Sequence, residues 1–302
     1  MGKHLRLAAI VVICLSFAGQ INAQAKSFDI LTPEVKQGGT VVLKIDRNFL
    51  NGETAVWAFN KFYWPDSEGL VFAGIDPSHV PGNYIVYLQN PYKEERTDWY
   101  YSEVAVNDAN FPEKPWPFGR VRKSTNQTET QKRKQEKIVI NDALEYSYRD
   151  PEEQYIDRKF TLPLERAEII EEFGVKRVSR GLLIEQHGGV DLRTNDPNDR
   201  KDKKPKPVLA ANSGKVVLAG KFSSEGNLVI IYHGQAIYSL YMHMSQLKVK
   251  TNQKVDGGQV IGLSGSTGHV TGPHLDFRVK INGSYVNPIA FIETANRYLV
   301  KQ

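Results

Sequence analysis

Five side chains that bind metals or move protons lie in the second half of the 302-residue chain: His187, Asp191, His243, His274 and Asp276. Imidazole nitrogens and carboxylate oxygens are common protein ligands of Zn²⁺, and imidazoles outside the ligand set can accept or donate protons. A hydrolytic metal centre needs both kinds of group, together with a position for water. These residue types therefore predict a metal-dependent hydrolytic site.

The spacing of His187 and Asp191 indicates how their side chains can reach the same ion. His187 and Asp191 are separated by Gly188, Gly189 and one valine, and the glycines allow both side chains to approach one ion. Taken alone, this spacing is a weak signal, and its weight comes from the other three residues.

His274 and Asp276 alternate with apolar residues, which predicts a strand with both polar side chains on one face. Their Cα atoms are then about 7 Å apart. By the same alternation, Ser239, Tyr241 and His243 are predicted to share the polar face of a second strand.

The elements around these residues are predicted to be strands. Three runs of strand length in the second half are closed by glycine or histidine, at residues 214–220, 227–233 and 238–243. Residues 165–173 are predicted to form a short helix.

The first part of the mature chain has an all-β pattern as well. Short β-branched and aromatic runs at residues 40–45 and 84–88 are separated by Gly38-Gly39 and Pro81-Gly82 turns, which predicts an immunoglobulin-like β-sandwich over residues 26–106. An aromatic cluster in this region is interpreted as core packing rather than as a sugar-binding surface. The fold class predicted for the whole chain is all-β.

The composition changes between residues 107 and 159. Three prolines are followed by residues 120–137, which are rich in Lys, Arg, Gln and Thr and nearly free of aliphatic side chains. This pattern predicts a basic linker, followed by a short helix at residues 138–148.

The N-terminus has the features of a secretory signal peptide. Lys3, His4 and Arg6 precede an apolar run at residues 7–19, which is too short to span a bilayer, and small residues follow. Cleavage is expected after Ala23, so residues 1–23 form the signal peptide, and the protein is expected in the periplasm or cell envelope without a stable membrane anchor.

Cysteine and charge exclude several functions. Cys14 is the only cysteine, and Ile13 before it argues against lipidation, so the mature chain has no thiol nucleophile. The formal net charge of +5 becomes +3 once Lys3 and Arg6 are removed. This mild excess favours a solvated surface, with attraction to an anionic polymer as the alternative, and no nucleic-acid motif accompanies it.

Residues 160–292 resemble the lysostaphin/LytM-type zinc metallo-endopeptidases, which cut peptide bonds in bacterial peptidoglycan. The resemblance rests on segments in the same order along the chain: Phe173-Gly174, His187-Gly-Gly-Val-Asp191, Val208 to Gly214, Tyr241-Met-His-Met-Ser245, Gly262 to Gly268, and Thr271-Gly-Pro-His-Leu275. It implies an antiparallel β-sheet peptidase domain at residues 160–292, a C-terminal tail at residues 293–302, and peptidoglycan peptide stems as the substrate.

The resemblance also implies roles for the site residues. His187 and Asp191 correspond to zinc ligands, and His243 and His274 to the histidines that act on water and the scissile carbonyl. One Zn²⁺ per chain is expected, with Mn²⁺ as an alternative. The third ligand position, which the family fills with histidine, carries Asp276.

Asp276 changes the electrostatics of the predicted site. Two carboxylates and one neutral imidazole cancel the two charges of the ion, so bound water is acidified less than with two imidazoles and one carboxylate. Three outcomes stay open: a slower zinc enzyme, a site tuned to a harder ion such as Mn²⁺, or a degenerate domain that binds the cell wall or activates a separate hydrolase. Of the remaining histidines, His233 is predicted to be structural, and His269 is a minor candidate for a replacement ligand.

Overall fold

The computed structural model describes residues 27–51, 54–89, 100–117, 127–145, 154–194 and 204–299. The predicted signal peptide and residues 118–126 of the predicted linker lie outside these ranges. In the N-terminal part the strands are β1 (Phe28–Ile30), β2 (Glu34–Lys36), β3 (Thr40–Ile45), β4 (Ala55–Ala58), β5 (Lys61–Tyr63), β6 (Leu70–Gly74), β7 (Gly82–Gln89) and β8 (Tyr100–Asn107), with a 3-10 turn at Arg47–Phe49.

The C-terminal part is also built mainly from strands. Its elements are β9 (Glu113–Pro115), α1 (Gln127–Leu144), β10 (Ala167–Glu171), β11 (Lys176–Ser179), β12 (Leu182–Gln186), β13 (Val190–Thr194), β14 (Pro207–Leu209), β15 (Gly214–Phe222), β16 (Gly226–Gly234), β17 (Ile237–Met244), β18 (Gln246–Leu247), β19 (Lys254–Val255), β20 (Val260–Leu263), β21 (Leu275–Ile281), β22 (Ser284–Val286) and α2 (Pro288–Tyr298). The predicted all-β class is confirmed.

Two sheets form the N-terminal part, with strand orders β1-β3-β6 and β2-β8-β7-β4-β5. Residues of both sheets bury their apolar side chains in one core, among them Val42 and Phe72 from the first sheet and Val86 and Val104 from the second. Alternation of buried and exposed residues in β7 and β8 leaves one face of the second sheet in solvent. The immunoglobulin-like topology stays a prediction.

One large antiparallel sheet dominates the C-terminal part, in the order β10-β13-β21-β17-β16-β15-β19, with β22 paired to β21. Its central strands β16 and β17 are buried almost along their whole length. One face of the sheet packs into the main core. On the other face, Leu144 of α1 packs in a second cluster with Leu228, Leu240 and Met242.

The two parts of the chain share the main core and are joined by polar contacts. Lys61 donates from Nζ to the Asn282 carbonyl at 2.8 Å and to Ser284 Oγ at 2.9 Å, and Asn282 Nδ2 donates to the Phe62 carbonyl at 2.7 Å. The Asn287 amide donates to the Gly38 carbonyl at 2.7 Å. These contacts hold the β21–β22 hairpin against the N-terminal sheets. Strand β21 carries Asp276.

Several predicted boundaries differ from the structure. Residues 167–171 form strand β10 rather than the predicted helix at residues 165–173, because Ala167 to Glu171 pair with β13 at the edge of the main sheet. The helix in the linker, α1, begins at Gln127 and ends at Leu144, earlier than the predicted residues 138–148. The predicted start of the tail at residue 293 falls inside α2, whose Phe291 and Ala295 are buried. Within the described residues, no helix has the length and apolar character needed to cross a membrane.

Candidate metal centre

The main sheet brings the predicted ligands together by strand register. Asp191 on β13 lies directly opposite Asp276 on β21, and Asp276 lies opposite Met242 on β17. Residues opposite each other on neighbouring strands project to the same face. Met242 lines a cleft of about 810 Å³ together with Asp191, His243, His274 and Asp276. His187 is 1% exposed and lies behind these lining residues.

The ligand atoms converge on a small volume. His187 Nε2 lies 3.2 Å from Asp191 Oδ1 and 3.8 Å from Asp276 Oδ1, and His274 Nε2 lies 3.7 Å from the same oxygen of Asp191. Donor atoms about 2.0–2.1 Å from a tetrahedral zinc ion are separated by about 3.3 Å. The distance from His187 to Asp191 therefore matches a shared ion, and Asp276 Oδ1 lies somewhat farther from His187.

The tautomer of His187 is fixed by the backbone. Its Nδ1 lies 3.0 Å from the Glu172 carbonyl oxygen, which can only accept a hydrogen bond. Nδ1 therefore carries a proton, and Nε2 is the nitrogen directed at the oxygens of Asp191 and Asp276. Among the described residues, His187 Nε2 and Asp191 Oδ1 are both buried without a hydrogen-bond partner. Two buried acceptors that face each other require a cation or a proton between them.

Electrostatics at the site favour positive charge. Burial disfavours the protonated ring of His187, but the carboxylates of Asp191 and Asp276 outweigh it and raise the pKa of His187 to about 10. Burial also disfavours the charged form of Asp276, yet Arg278 and His187 hold the pKa of Asp276 well below its usual range. The Asp276 carboxylate thus stays ionised and available to a cation.

Glu171 is a residue that the sequence analysis missed. Glu171, His187 and Asp191 each offer a ligand atom, and these atoms lie within 4.8 Å of one another. However, Glu171 lies 3.9 Å from Nδ1 of His187, the nitrogen already engaged by the backbone, and it forms an ion pair with Arg177. Asp276, on the Nε2 side, is therefore the better third ligand. Predicting residues 165–173 as a helix concealed Glu171, because only the strand β10 aims it at His187.

His243 reaches the cleft by a route that the sequence analysis did not predict. Ser239 and Tyr241 point into the core, where Ser239 Oγ lies 2.8 Å from the Tyr241 hydroxyl, whereas Leu240 and Met242 line the cleft. The register between β16 and β17 shifts beside His243, and its φ is +63°, in the left-handed region. This bulge turns His243 to the opposite face, so the predicted shared face of Ser239, Tyr241 and His243 is wrong.

His243 and His274 are held as a pair beside the ligands. Their ring centroids are 5.0 Å apart. Nδ1 of His243 lies 2.9 Å from the Thr267 carbonyl, and Nδ1 of His274 lies 2.9 Å from the Gly272 carbonyl. Both rings therefore keep their proton on Nδ1 and direct Nε2 away from these carbonyls. Burial lowers the pKa of His243, which keeps that ring in its neutral, proton-accepting form near pH 7.

Gly189 is required by the close approach of β13 and β21. A Cβ atom at this position would lie 2.4 Å from Arg278 Cγ, 2.5 Å from the Phe277 carbonyl oxygen and 2.8 Å from Asp276 Oδ1. We expect Gly189→Ala to lower stability by about 1–3 kcal/mol and to displace Asp276 enough to weaken metal binding. Thermal denaturation and zinc titration measure the two effects. Gly272→Ala, which places its Cβ in open space, is the matched control; equal behaviour of the two variants would contradict the steric argument.

His233 is structural, as predicted. It is fully buried, with Nδ1 2.7 Å from the Ser213 carbonyl and Nε2 2.7 Å from Ser239 Oγ. Neither of these contacts is with a carboxylate. Burial therefore lowers the pKa of His233 from 6.5 to about 4, and the ring stays neutral. His269 lines the cleft.

The neutral state of His233 predicts an acid-sensitive contribution to stability. The unfolded chain protonates this ring near pH 6.5 and the folded chain near pH 4, so its contribution is complete above pH 6.5 and is lost as the pH falls towards 4. The loss by pH 4 amounts to about 3 kcal/mol. We expect the difference in unfolding free energy between wild type and His233→Gln, measured by denaturant titration, to shrink by this amount from pH 7 to pH 4. A difference that stays constant with pH would show that His233 is not the titrating group.

Comparison with known proteins places this site in a family. Residues 185–288 match the model of peptidase family M23. Peptidoglycan DD-endopeptidase ShyA of Vibrio cholerae is 46% identical over 81 residues, which are 27% of this chain and 19% of the relative. The DD-carboxypeptidase/endopeptidase Mpg of Neisseria meningitidis is 42% identical over 84 residues, which are 28% of this chain and 19% of the relative. The chain thus spans about a fifth of the length of these curated relatives.

A crystal structure of a peptidase M23 from Pseudomonas aeruginosa has a similar fold over most of the molecule. It superposes with a TM-score of 0.56 at 22% identity and covers 87% of this chain and 96% of its own. The likeness therefore includes the N-terminal sheets. The part of the chain that contains His187, Asp191, His243, His274 and Asp276 is a peptidase M23 domain.

Proposed function

We propose that this protein is an exported, metal-dependent endopeptidase that hydrolyses peptide cross-links of bacterial peptidoglycan. The observation that carries the proposal is the pair of buried acceptors, His187 Nε2 and Asp191 Oδ1, which face each other 3.2 Å apart beside a cleft that also contains His243 and His274. The names of the relatives ShyA and Mpg support the substrate class. Export rests on the predicted signal peptide at residues 1–23.

His187, Asp191 and Asp276 would hold the metal ion. A divalent ion such as Zn²⁺, when bound, supplies Lewis acidity and lowers the pKa of a coordinated water. The three donors leave room in a four-coordinate shell, which is the arrangement typical of catalytic zinc sites. One ion per chain is proposed, with Mn²⁺ as the alternative.

The protein side chains then move protons around the scissile peptide bond. With Nδ1 of both rings bound to backbone carbonyls, Nε2 of His243 or His274 accepts a proton from the attacking water. The ring that accepts this proton becomes a donor at Nε2 and returns the proton to the leaving amine. The other ring donates to the carbonyl oxygen, where negative charge develops, only when it is protonated on both nitrogens. The neutral form of His243 suits it to the role of base.

The cleft offers a surface for an extended substrate. Trp116 and Lys114 line one part of it, and Arg133, Lys137 and Ile140 of α1 line another. Ser223 anchors α1 through its amide and hydroxyl, which donate to Glu136 at 3.0 and 3.1 Å. Cationic side chains in this position suit the carboxylates of peptidoglycan peptide stems.

Digestion of purified sacculi tests the proposal. Mass spectrometry of the released fragments is expected to show newly cleaved peptide cross-links with the wild-type protein, no release with chelator, and recovery on addition of Zn²⁺. Fragments that appear equally with chelator would exclude a metal-dependent reaction. The bond cut is read from the masses of the new termini.

A second candidate function is supported by one observation. Asp276, at the third ligand position, is already engaged by Arg278, as a degenerate wall-binding domain would allow. The number of zinc ions bound per chain separates the two functions, because a degenerate domain is expected to bind less than one ion even with zinc in excess. Binding to sacculi without fragment release would support this second function.

A further inference from the structure

Asp276 forms a buried ion pair with an arginine two residues along the same strand. Arg278 Nη2 donates to Asp276 Oδ2 at 2.6 Å, and Arg278 Nε donates to Oδ1 at 3.0 Å and to Oδ2 at 3.1 Å. The side chains are 17% and 5% exposed. Both carboxylate oxygens therefore contact the guanidinium group, while Oδ1 also faces His187 Nε2 at 3.8 Å.

The surroundings hold Arg278 in this position. Its guanidinium carbon lies 5.6 Å from the centre of the Tyr285 ring, and its Cγ fills the space left by the missing side chain of Gly189. Arg278 lies opposite Leu240 on β17, on the cleft face of the sheet. Arg278 is therefore flanked by Tyr285 on one side and by Gly189 on another.

The pair alters the charge at the third ligand position. An aspartate alone would add a negative charge that a histidine does not bring, and it would make the ion a weaker acid. The guanidinium group cancels that charge within hydrogen-bonding distance. Asp276 and Arg278 together thus contribute no net charge, as a neutral imidazole would.

We propose that Asp276 and Arg278 act as one neutral ligand unit, in which Arg278 is a positioning residue that fixes Oδ1 towards His187 and cancels the charge of the carboxylate. This inference rests on the metal binding in the proposed function. It implies that an aspartate is suited to this position only with an arginine at 278. Replacing Asp276 alone with histidine would leave a buried guanidinium without its partner beside a divalent cation.

A two-residue mutant cycle on the full-length mature protein tests the unit. Wild type, Asp276→His, Arg278→Gln and the double variant are compared by the Kd for Zn²⁺, from chelator competition, and by the Tm of the metal-free protein. We expect Asp276→His to bind Zn²⁺ at least about tenfold more weakly than wild type, and to lower the metal-free Tm by about 5–10 °C, because removal of one partner of a buried pair leaves the other charge uncompensated. Adding Arg278→Gln to Asp276→His should reverse both changes, since loss of both partners is far better tolerated.

Matched variants separate this coupling from general effects. Arg193→Gln removes a partly exposed arginine on β13, paired with Glu168 at 3.1 Å, and should not rescue Asp276→His. Arg278→Met repeats the partner change with an apolar side chain and should rescue as Arg278→Gln does. If Asp276→His fails to fold but either double variant folds, the coupling is supported.

Two results would overturn the inference. Asp276→His that binds Zn²⁺ as tightly as wild type, with no further change from Arg278→Gln, would show that the residues act independently. Double variants that unfold while Asp276→His stays folded would show that Arg278 stabilises the fold without Asp276, which contradicts the expected rescue. A wild-type protein that binds no Zn²⁺ would instead remove the proposed function, while the metal-free Tm would still report whether the pair is coupled.

Discussion

The protein with His187 replaced by alanine is expected to lose its bound metal ion and nearly all peptidoglycan cleavage. His187 Nε2 lies 3.2 Å from Asp191 Oδ1 and 3.8 Å from Asp276 Oδ1, and Nδ1 is held by the Glu172 carbonyl. Without this imidazole, Asp191 and Asp276 remain as the only proposed ligands, and Asp276 is shared with Arg278. Loss of Lewis-acid activation is worth several kcal/mol, so we expect cleavage to fall by at least about 10³-fold.

Metal content and fragment release measure this effect together. Zinc per chain, determined by elemental mass spectrometry after dialysis, should fall from one to below about 0.1, which is what a weakening of affinity by two or more decades produces. His269→Ala is the matched control, because it removes another histidine from the lining of the same cleft. It should keep both metal and activity. Retention of zinc by His187→Ala and its loss from His269→Ala would place the metal elsewhere.

Replacement of His243 or His274 by alanine is expected to leave the metal in place and to slow cleavage by about 10²–10⁴-fold. Both rings point Nε2 away from backbone carbonyls that fix their tautomer, and their centroids are 5.0 Å apart beside the ligand cluster. His274 Nε2 is 3.7 Å from Asp191 Oδ1, so it lies close to the proposed ion.

The double variant provides a sharper test of this role. If the two histidines serve the same chemical step, their effects are strongly non-additive, and the double variant should be little slower than the slower single variant. Kinetics on a purified cross-linked muropeptide, with zinc content measured in parallel, give the comparison. Full activity in both single variants would exclude the proposed proton transfer, and loss of zinc from His243→Ala would assign that ring to the metal instead.

The predicted site residues lie together in the structure, but part of their positioning comes from features that the sequence does not show. Alternation of polar and apolar residues at 274–281 predicted that His274 and Asp276 share a face, and both line the cleft. This prediction holds because side chains alternate regularly between the two faces of a strand. The same reasoning failed for His243. There a bulge and a left-handed φ reverse the side-chain direction, and neither leaves a mark in the alternation of residue types.

Long-range contacts account for the other differences. Glu171 enters the site because β10 pairs with β13 at the edge of the main sheet. Arg177 reaches it from β11, in a separate sheet with β9 and β12. Pairing between distant segments decides both positions rather than local propensity. In the sequence, Arg278 is one of several polar residues that alternate with apolar ones. Its contacts with both oxygens of Asp276 are visible only in the structure. Helix α1 lies within the region predicted as a linker, and its Leu144 packs on one face of the main sheet. The polar composition of this region gave no sign of that packing.

Zinc binding and cleavage, measured on one preparation of the mature protein, test the central claim most directly. The account predicts one zinc ion per chain, release of peptide fragments from purified sacculi, and loss of both on chelation with recovery of both on addition of Zn²⁺. Cleavage that continues after complete metal removal would contradict it. So would a protein that binds far less than one ion per chain with zinc in excess and releases no fragments.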